Sequence, residues 1–226
     1  MSNYAGKQLV ITGGTGALGQ AVVKTLLDQG ATCHVTWLFE PELESFELTD
    51  QVTLHQVDCG DEGAVVGLYG GLDGLWGSIH IVGGFDMSPI RETSLDAFRR
   101  MQTLNAETCF LTCREAVRTM KMGGRIVNVS ARPVVEPYGG AIAYAASKAA
   151  VASITRCLAD EVKSEGILVN AVVPSILDTS ANRQSMPDAD FDSWPKVEEV
   201  ANTIAWLASP GNAVTSGTLV PVFGAV

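Results

Sequence analysis

Apolar residues along this chain fall into short runs of strand length, separated by glycine-rich turns and by longer stretches with helical spacing. Residues 7–12 (KQLVIT) form an apolar, partly β-branched run, which predicts a buried strand. After the turn TGGTGALG, Leu18, Val22 and Leu26 recur at four-residue spacing, and Gly30 stands where a helix-ending glycine belongs. Further strand-like runs lie at 32–38, 52–57, 79–82, 125–129, 167–173 and 218–222. Helical patterns occupy 61–76, roughly 95–122, 143–164 and 196–208. The first of these is weakened by five glycines, since glycine is a poor helix former. The second starts at Ser94, with Ala97 three residues on, so it lacks a full capping box.

Strands that alternate with helices and read as continuous apolar runs predict a parallel sheet covered on both faces. The expected architecture is one α/β domain over 1–226, a Rossmann-type doubly wound sheet of about seven strands. No internal repeat or linker interrupts it. The long irregular stretch from Pro174 to Pro195 reads as a functional substrate loop, at about 175–195.

Composition narrows the function classes. The 226 residues are 46% hydrophobic and carry a formal net charge of -10. That balance argues against nucleic acid and anionic membrane as partners, both of which need a basic surface. No apolar run reaches the roughly 18 residues of a membrane span, and the N-terminal residues lack the pattern of a signal peptide. A cytoplasmic protein acting on a small molecule is the expectation. The five cysteines form no CxxC pair. Cys109 and Cys113 share a helical spacing but have no neighbouring His in the sequence, so buried thiols and no metal are expected.

The chemistry centres on Tyr144 and Lys148 in AYAASKAA. Residues four apart share a helix face, so an ammonium would stand beside a phenol and lower its pKa toward the range of a general acid/base. None of Tyr4, Tyr69 or Tyr138 has a lysine at that spacing. Ser130 ends an apolar run at the carboxyl end of a strand, where parallel sheets bind ligands, and can hydrogen-bond a substrate oxygen. Asn105 is an unfavourable residue inside the long helix; it either anchors a proton-relay water or is a solvated surface Asn.

The turn between the first strand and first helix suits a pyrophosphate, with Gly13, Thr15, Gly16, Ala17, Leu18 and Gly19 as candidate contacts. The second strand ends at Trp37-Leu38, where neither a carboxylate nor an arginine reads the ribose. Glu40 and Glu42 follow, and no Lys or Arg occurs between Lys24 and Arg91. NAD or NADP is therefore the expected cofactor, with NAD favoured. Asp58 could accept a hydrogen bond from adenine or serve as a turn residue.

Across nearly its whole length the chain resembles the short-chain dehydrogenase/reductase family. TGGTGALG resembles that family's TGxxx[G/A]xG turn. Asn105, Ser130, Tyr144 and Lys148 match its catalytic tetrad in order and spacing. VNAVVPS resembles VNAVxPG, with Ser175 in place of Gly. The resemblance implies an NAD(P)-dependent oxidoreductase acting on a carbonyl or alcohol, and adds Pro174, Ile176 and Thr179 to the cofactor contacts. It also implies a homodimer or homotetramer built on the two long helices. The family's NNAG motif is replaced by Ile81-Val82-Gly83-Gly84; the two glycines still permit close approach to a cofactor, but the strand-bracing Asn side chains are gone. Residues 177–194 resemble a stretch of quinonoid dihydropteridine reductases, which makes pterin reduction an alternative. Loss of catalysis in favour of nucleotide-binding regulation is a further one. Arg132 and Arg183 are candidates for a substrate anion; for Arg183, pairing with Asp188 or Asp190 is the structural expectation.

Overall fold

The computed structural model describes residues 3–121 and 123–225. The predicted parallel sheet is present. Its strands are β1 (Gln8–Thr12), β2 (Thr32–Trp37), β3 (Val52–Gln56), β4 (Leu75–His80), β5 (Gly124–Val129), β6 (Ile167–Pro174) and β7 (Leu219–Val222). They lie in the order β3-β2-β1-β4-β5-β6-β7, with every pair parallel. The order reverses between β1 and β4, and ligands of such sheets bind at that switch point, beyond the carboxyl ends of the strands.

Helices cover both faces. On one side, α1 (Ala17–Leu27) and α7 (Val197–Ala208) pack on each other and on Leu9 and Ile11 of β1. On the other side, α2 (Glu62–Gly70), α4 (Thr108–Thr119) and α5 (Ile142–Glu161) enclose Val10, Ile126 and Val169. Adjacent β1 residues thus enter opposite cores, which is why the strands read as unbroken apolar runs. Among the described residues no helix is long and apolar enough to cross a membrane.

Several element boundaries depart from the sequence reading. The helix expected over 61–76 ends at Gly70, and β4 begins at Leu75 rather than at residue 79. Gly74, at φ +77°, makes the turn between them. The long helix expected over 95–122 divides into α3 (Leu95–Met101), a π-helical turn over Gln102–Glu107, and α4, which ends at Thr119. Its expected end, residue 122, lies outside the described residues. Ser94 does cap α3, its hydroxyl accepting from the Ala97 N–H at 3.0 Å. The stretch from Pro174 to Pro195 contains a short helix, α6 (Ser180–Ser185), and a 3-10 turn at Phe191–Ser193.

Candidate active site

The glycine turn is shaped by steric exclusion. Gly13 adopts φ +66°, a conformation L side chains avoid, and its N–H donates to Thr36 Oγ1 on β2 at 3.0 Å. A Cβ on Gly19 would stand 2.3 Å from the Gly13 carbonyl oxygen and 2.5 Å from Gly14 Cα. Only glycine there lets α1 start directly beneath the turn. Gly16 caps α1 without a side-chain bond, so the unpaired N–H groups and positive dipole end of the helix face outward. Beyond them opens a cleft of about 630 Å³, lined by residues 13 and 15–19, Trp37, Asp58 and Gly83. The glycines at 13, 16 and 19, the exposed helix N-terminus and the cleft fit a dinucleotide pyrophosphate.

Two acids border the cleft. Asp58 is exposed on its wall and accepts from the Gly60 N–H at 2.8 Å, so it is both a turn residue and a cleft residue. Of the pair Glu40 and Glu42, the fold selects Glu42, which a 3-10 turn after β2 swings back against the glycine turn. Its Oε2 accepts from Thr15 Oγ1 at 2.7 Å. Glu40 points to solvent.

The four residues of the predicted tetrad lie further along the carboxyl edge. Asn105, for which the spacing leaves a water anchor and a solvated residue open, is 1% exposed. The π-helical turn carries it inward, a common use of such turns at functional sites. Its Oδ1 accepts from Gly84 N–H at 3.0 Å, and its Nδ2 donates to the Gly84 carbonyl and to Ser147 Oγ, each at 3.0 Å. Lys148 is buried and donates to the Val129 carbonyl at 2.9 Å. Asn105 and Lys148 converge on Gly83, where a Cβ would stand 2.5 Å from Asn105 Oδ1 and 3.1 Å from Lys148 Nζ. Ser130 is buried at the end of β5 and donates to the Lys148 carbonyl at 3.0 Å.

The electrostatic expectation for Tyr144 is corrected. Burial pushes its pKa up, with Tyr138 adding in the same direction, rather than Lys148 pulling it down. The reason is geometric: Lys148 sends its ammonium into the sheet toward Val129, and burial lowers its own pKa to about 8. The ring of Tyr144 meets Phe85 edge to face, centroids 5.0 Å apart. Gly84, Tyr144, Lys148, Pro174, Ile176 and Thr179 do not line the 630 Å³ cleft. Pro174 ends β6, and Thr179 caps α6 by accepting from the Asn182 N–H at 3.2 Å.

The missing Asn pair before Gly83 is replaced by other braces. Ile81 N–H bonds both the carbonyl and the hydroxyl of Thr12 at 3.2 Å, tying the end of β4 to β1. His80 bridges β4 and β5: Nδ1 lies 2.8 Å from Asn128 Oδ1 and Nε2 2.8 Å from Ser78 Oγ. The expectation that no histidine neighbours Cys109 and Cys113 is corrected here. His80 Nδ1 is 3.5 Å from Cys113 Sγ, and the three residues place ligand atoms within 4.8 Å of one another. Soft metals favour such donors. Each polar atom of the group nevertheless has a protein partner, as buried polar groups require, so the cluster is complete as a buried brace.

The stretch from Pro174 to Pro195 is tied at its neck. Arg183 pairs with Asp178, at 2.6 and 2.8 Å, not with Asp188 or Asp190 as expected. Lys196 Nζ lies 2.6 Å from the same carboxylate, and Asp178 also pairs with Lys196 through the backbone. The two cations hold the Asp178 carboxyl well below the usual range. Arg132 pairs with Glu136 at 2.8 Å and stacks over Phe223. Nothing in the sequence spacing singled out Asp178, because its partners lie five and eighteen residues on.

Comparison with known proteins agrees with this geometry. The family model described as short chain dehydrogenase matches residues 7–190. A cyclic-di-GMP-binding biofilm dispersal mediator protein of Escherichia coli (strain K12) is 30% identical over 100% of this chain and 99% of its own. An uncharacterized oxidoreductase of the same strain is 28% identical, covering 95% of this chain and 93% of that protein. A solved short-chain dehydrogenase/reductase from Serratia marcescens superposes with a TM-score of 0.87 at 27% identity, over 99% of this chain and 98% of that one.

Proposed function

The chain belongs to the short-chain dehydrogenase family, and from that premise we propose that it interconverts a small carbonyl compound and its alcohol, with Tyr144 as the proton donor or acceptor. The observation that carries this reading is the convergence of Asn105 and Lys148 on Gly83, between the glycine-turn cleft and Tyr144. A nicotinamide dinucleotide, when bound, supplies or accepts the hydride. Residues 13–19 would hold its pyrophosphate, and Gly83 would admit it close to the sheet. Because burial raises the Tyr144 pKa, the phenol keeps its proton near neutral pH, the state a carbonyl reduction needs. Lys148, at about 8, is an ammonium at neutral pH and supplies positive charge beneath the site. Ser130 would orient the substrate oxygen after turning its hydroxyl from the Lys148 carbonyl.

Tyr144→Phe removes the proton but keeps the ring. Turnover, followed at the NADH absorbance band, is expected to fall by about 10³-fold, while NADH affinity by fluorescence titration stays within about twofold. Activity near the wild-type level in that variant would defeat the mechanism.

Glu42 supports NAD over NADP. Its carboxylate beside Thr15 offers an acceptor to a ribose hydroxyl and repels a 2′-phosphate. The kcat/KM with NADH is expected to exceed that with NADPH by about tenfold or more, and Glu42→Gln to narrow the ratio. A preference for NADPH in the unmodified protein would reverse this assignment.

A nucleotide-binding regulator is a second reading, favoured by the name of the 30% identical Escherichia coli relative. Saturable binding of cyclic-di-GMP with no turnover on any carbonyl, alcohol or quinonoid dihydropterin would favour it over the enzyme.

A further inference from the structure

We infer that the substrate is a neutral carbonyl compound with an apolar body of aromatic size, received by Phe85 and Tyr138 beside Tyr144. This deepens the oxidoreductase reading and rests on it. Exposed apolar side chains are ordinarily scattered over a protein surface. Here Phe85 and Met87 follow β4, Val135 and Tyr138 follow β5, and Ile176 follows β6, all at the carboxyl edge of the sheet. Phe85 is 62% exposed although its ring makes a T-shaped contact with Tyr144, centroids 5.0 Å apart, so ring surface remains free to receive another flat group. Tyr138 is 48% exposed and close enough to act on the Tyr144 phenol. The two loops are held together beside Tyr144, with Ser88 N–H donating to the Gly140 carbonyl at 2.7 Å.

Charge argues the same way. Arg132 is engaged by Glu136, and Arg183 and Lys196 by Asp178. Asp86 is likewise paired, to Arg100 at 2.6 Å. Arg91 lies in the turn leading to α3, with Glu92 beside it. An anionic substrate would have to break the Arg132, Arg183 or Lys196 pair or turn to Arg91 next to Glu92, against a net charge of -10.

The test uses two probes of nearly equal size that differ in charge, 6-acetyl-2-naphthamide and 6-acetyl-2-naphthoate, with the full-length protein and NADH. Affinity is read by equilibrium dialysis and hydride transfer by loss of NADH absorbance. The neutral ketone is expected to bind at least about tenfold tighter than the anion, and Phe85→Ala to lose about tenfold of that affinity. NADH affinity should not change in the variant. Equal or tighter binding of the anion overturns the inference, as does a Phe85→Ala variant that binds the neutral ketone normally. A Phe85→Ala effect on oligomeric state alone, with probe binding intact, overturns it too and makes the patch a subunit contact. Preference for the neutral probe without hydride transfer supports this inference and tells against the oxidoreductase reading, so the two fail separately.

Discussion

The two ends of the carboxyl edge are held by opposite means. At the cofactor end the determining feature is the lack of side chains: Gly13 supplies a positive φ and Gly19 leaves room for α1 beneath the turn. At the reacting end the determining features are side chains, each bonded to backbone: Asn105 to Gly84, Lys148 to Val129, Ser130 to Lys148. A backbone cradle cannot be altered without disturbing the chain path, whereas a side-chain frame can lose chemistry while keeping the fold. Substitutions at the first should therefore couple stability to binding, and those at the second should separate turnover from binding.

Gly19→Ala tests the first half of this contrast. Its Cβ meets backbone atoms that cannot rotate away, so the protein should lose about 2–3 kcal/mol by chemical denaturation. NADH affinity should fall with it, by about 100-fold in a fluorescence titration. A stable variant with normal NADH binding would show that the turn has slack. Asn105→Ala tests the second half with a smaller effect. It leaves the Gly84 N–H and carbonyl without their partner, at a cost of about 1–3 kcal/mol in stability. Turnover is expected to drop by about 10–100-fold while NADH affinity changes by less than about threefold. If affinity and turnover fell equally, the distinction between the two ends would not hold.

Much of the fold is readable from the chain. The unbroken apolar runs and intervening helical spacing already imply a parallel sheet covered on both faces, and the glycine turn announces where a dinucleotide would lie. The failures are instructive. The pattern over 61–76 overruns the helix because it does not show that Gly74 turns the chain into β4 four residues early. Spacing alone leaves Asn105 open between a water anchor and a solvated surface residue, and the π-helical turn decides it by rotating the side chain inward. Spacing points Arg183 to Asp188 or Asp190, whereas Asp178 reaches it across the neck of the loop.

By itself the sequence determines what depends on neighbours along one element. These are the apolar runs, the glycines that permit a tight turn, and the spacing that sets Tyr144 and Lys148 on one helix. The tertiary structure decides what depends on contacts between elements. It turns the Lys148 ammonium toward Val129 instead of the Tyr144 phenol, chooses Glu42 over Glu40, brings His80 to Cys113 and hands Gly84 to Asn105. The physical reason is that spacing fixes the face of a helix on which a side chain lies. Where a long side chain ends, and so which charge it feels, is set by burial and by hydrogen bonds to segments remote in the chain.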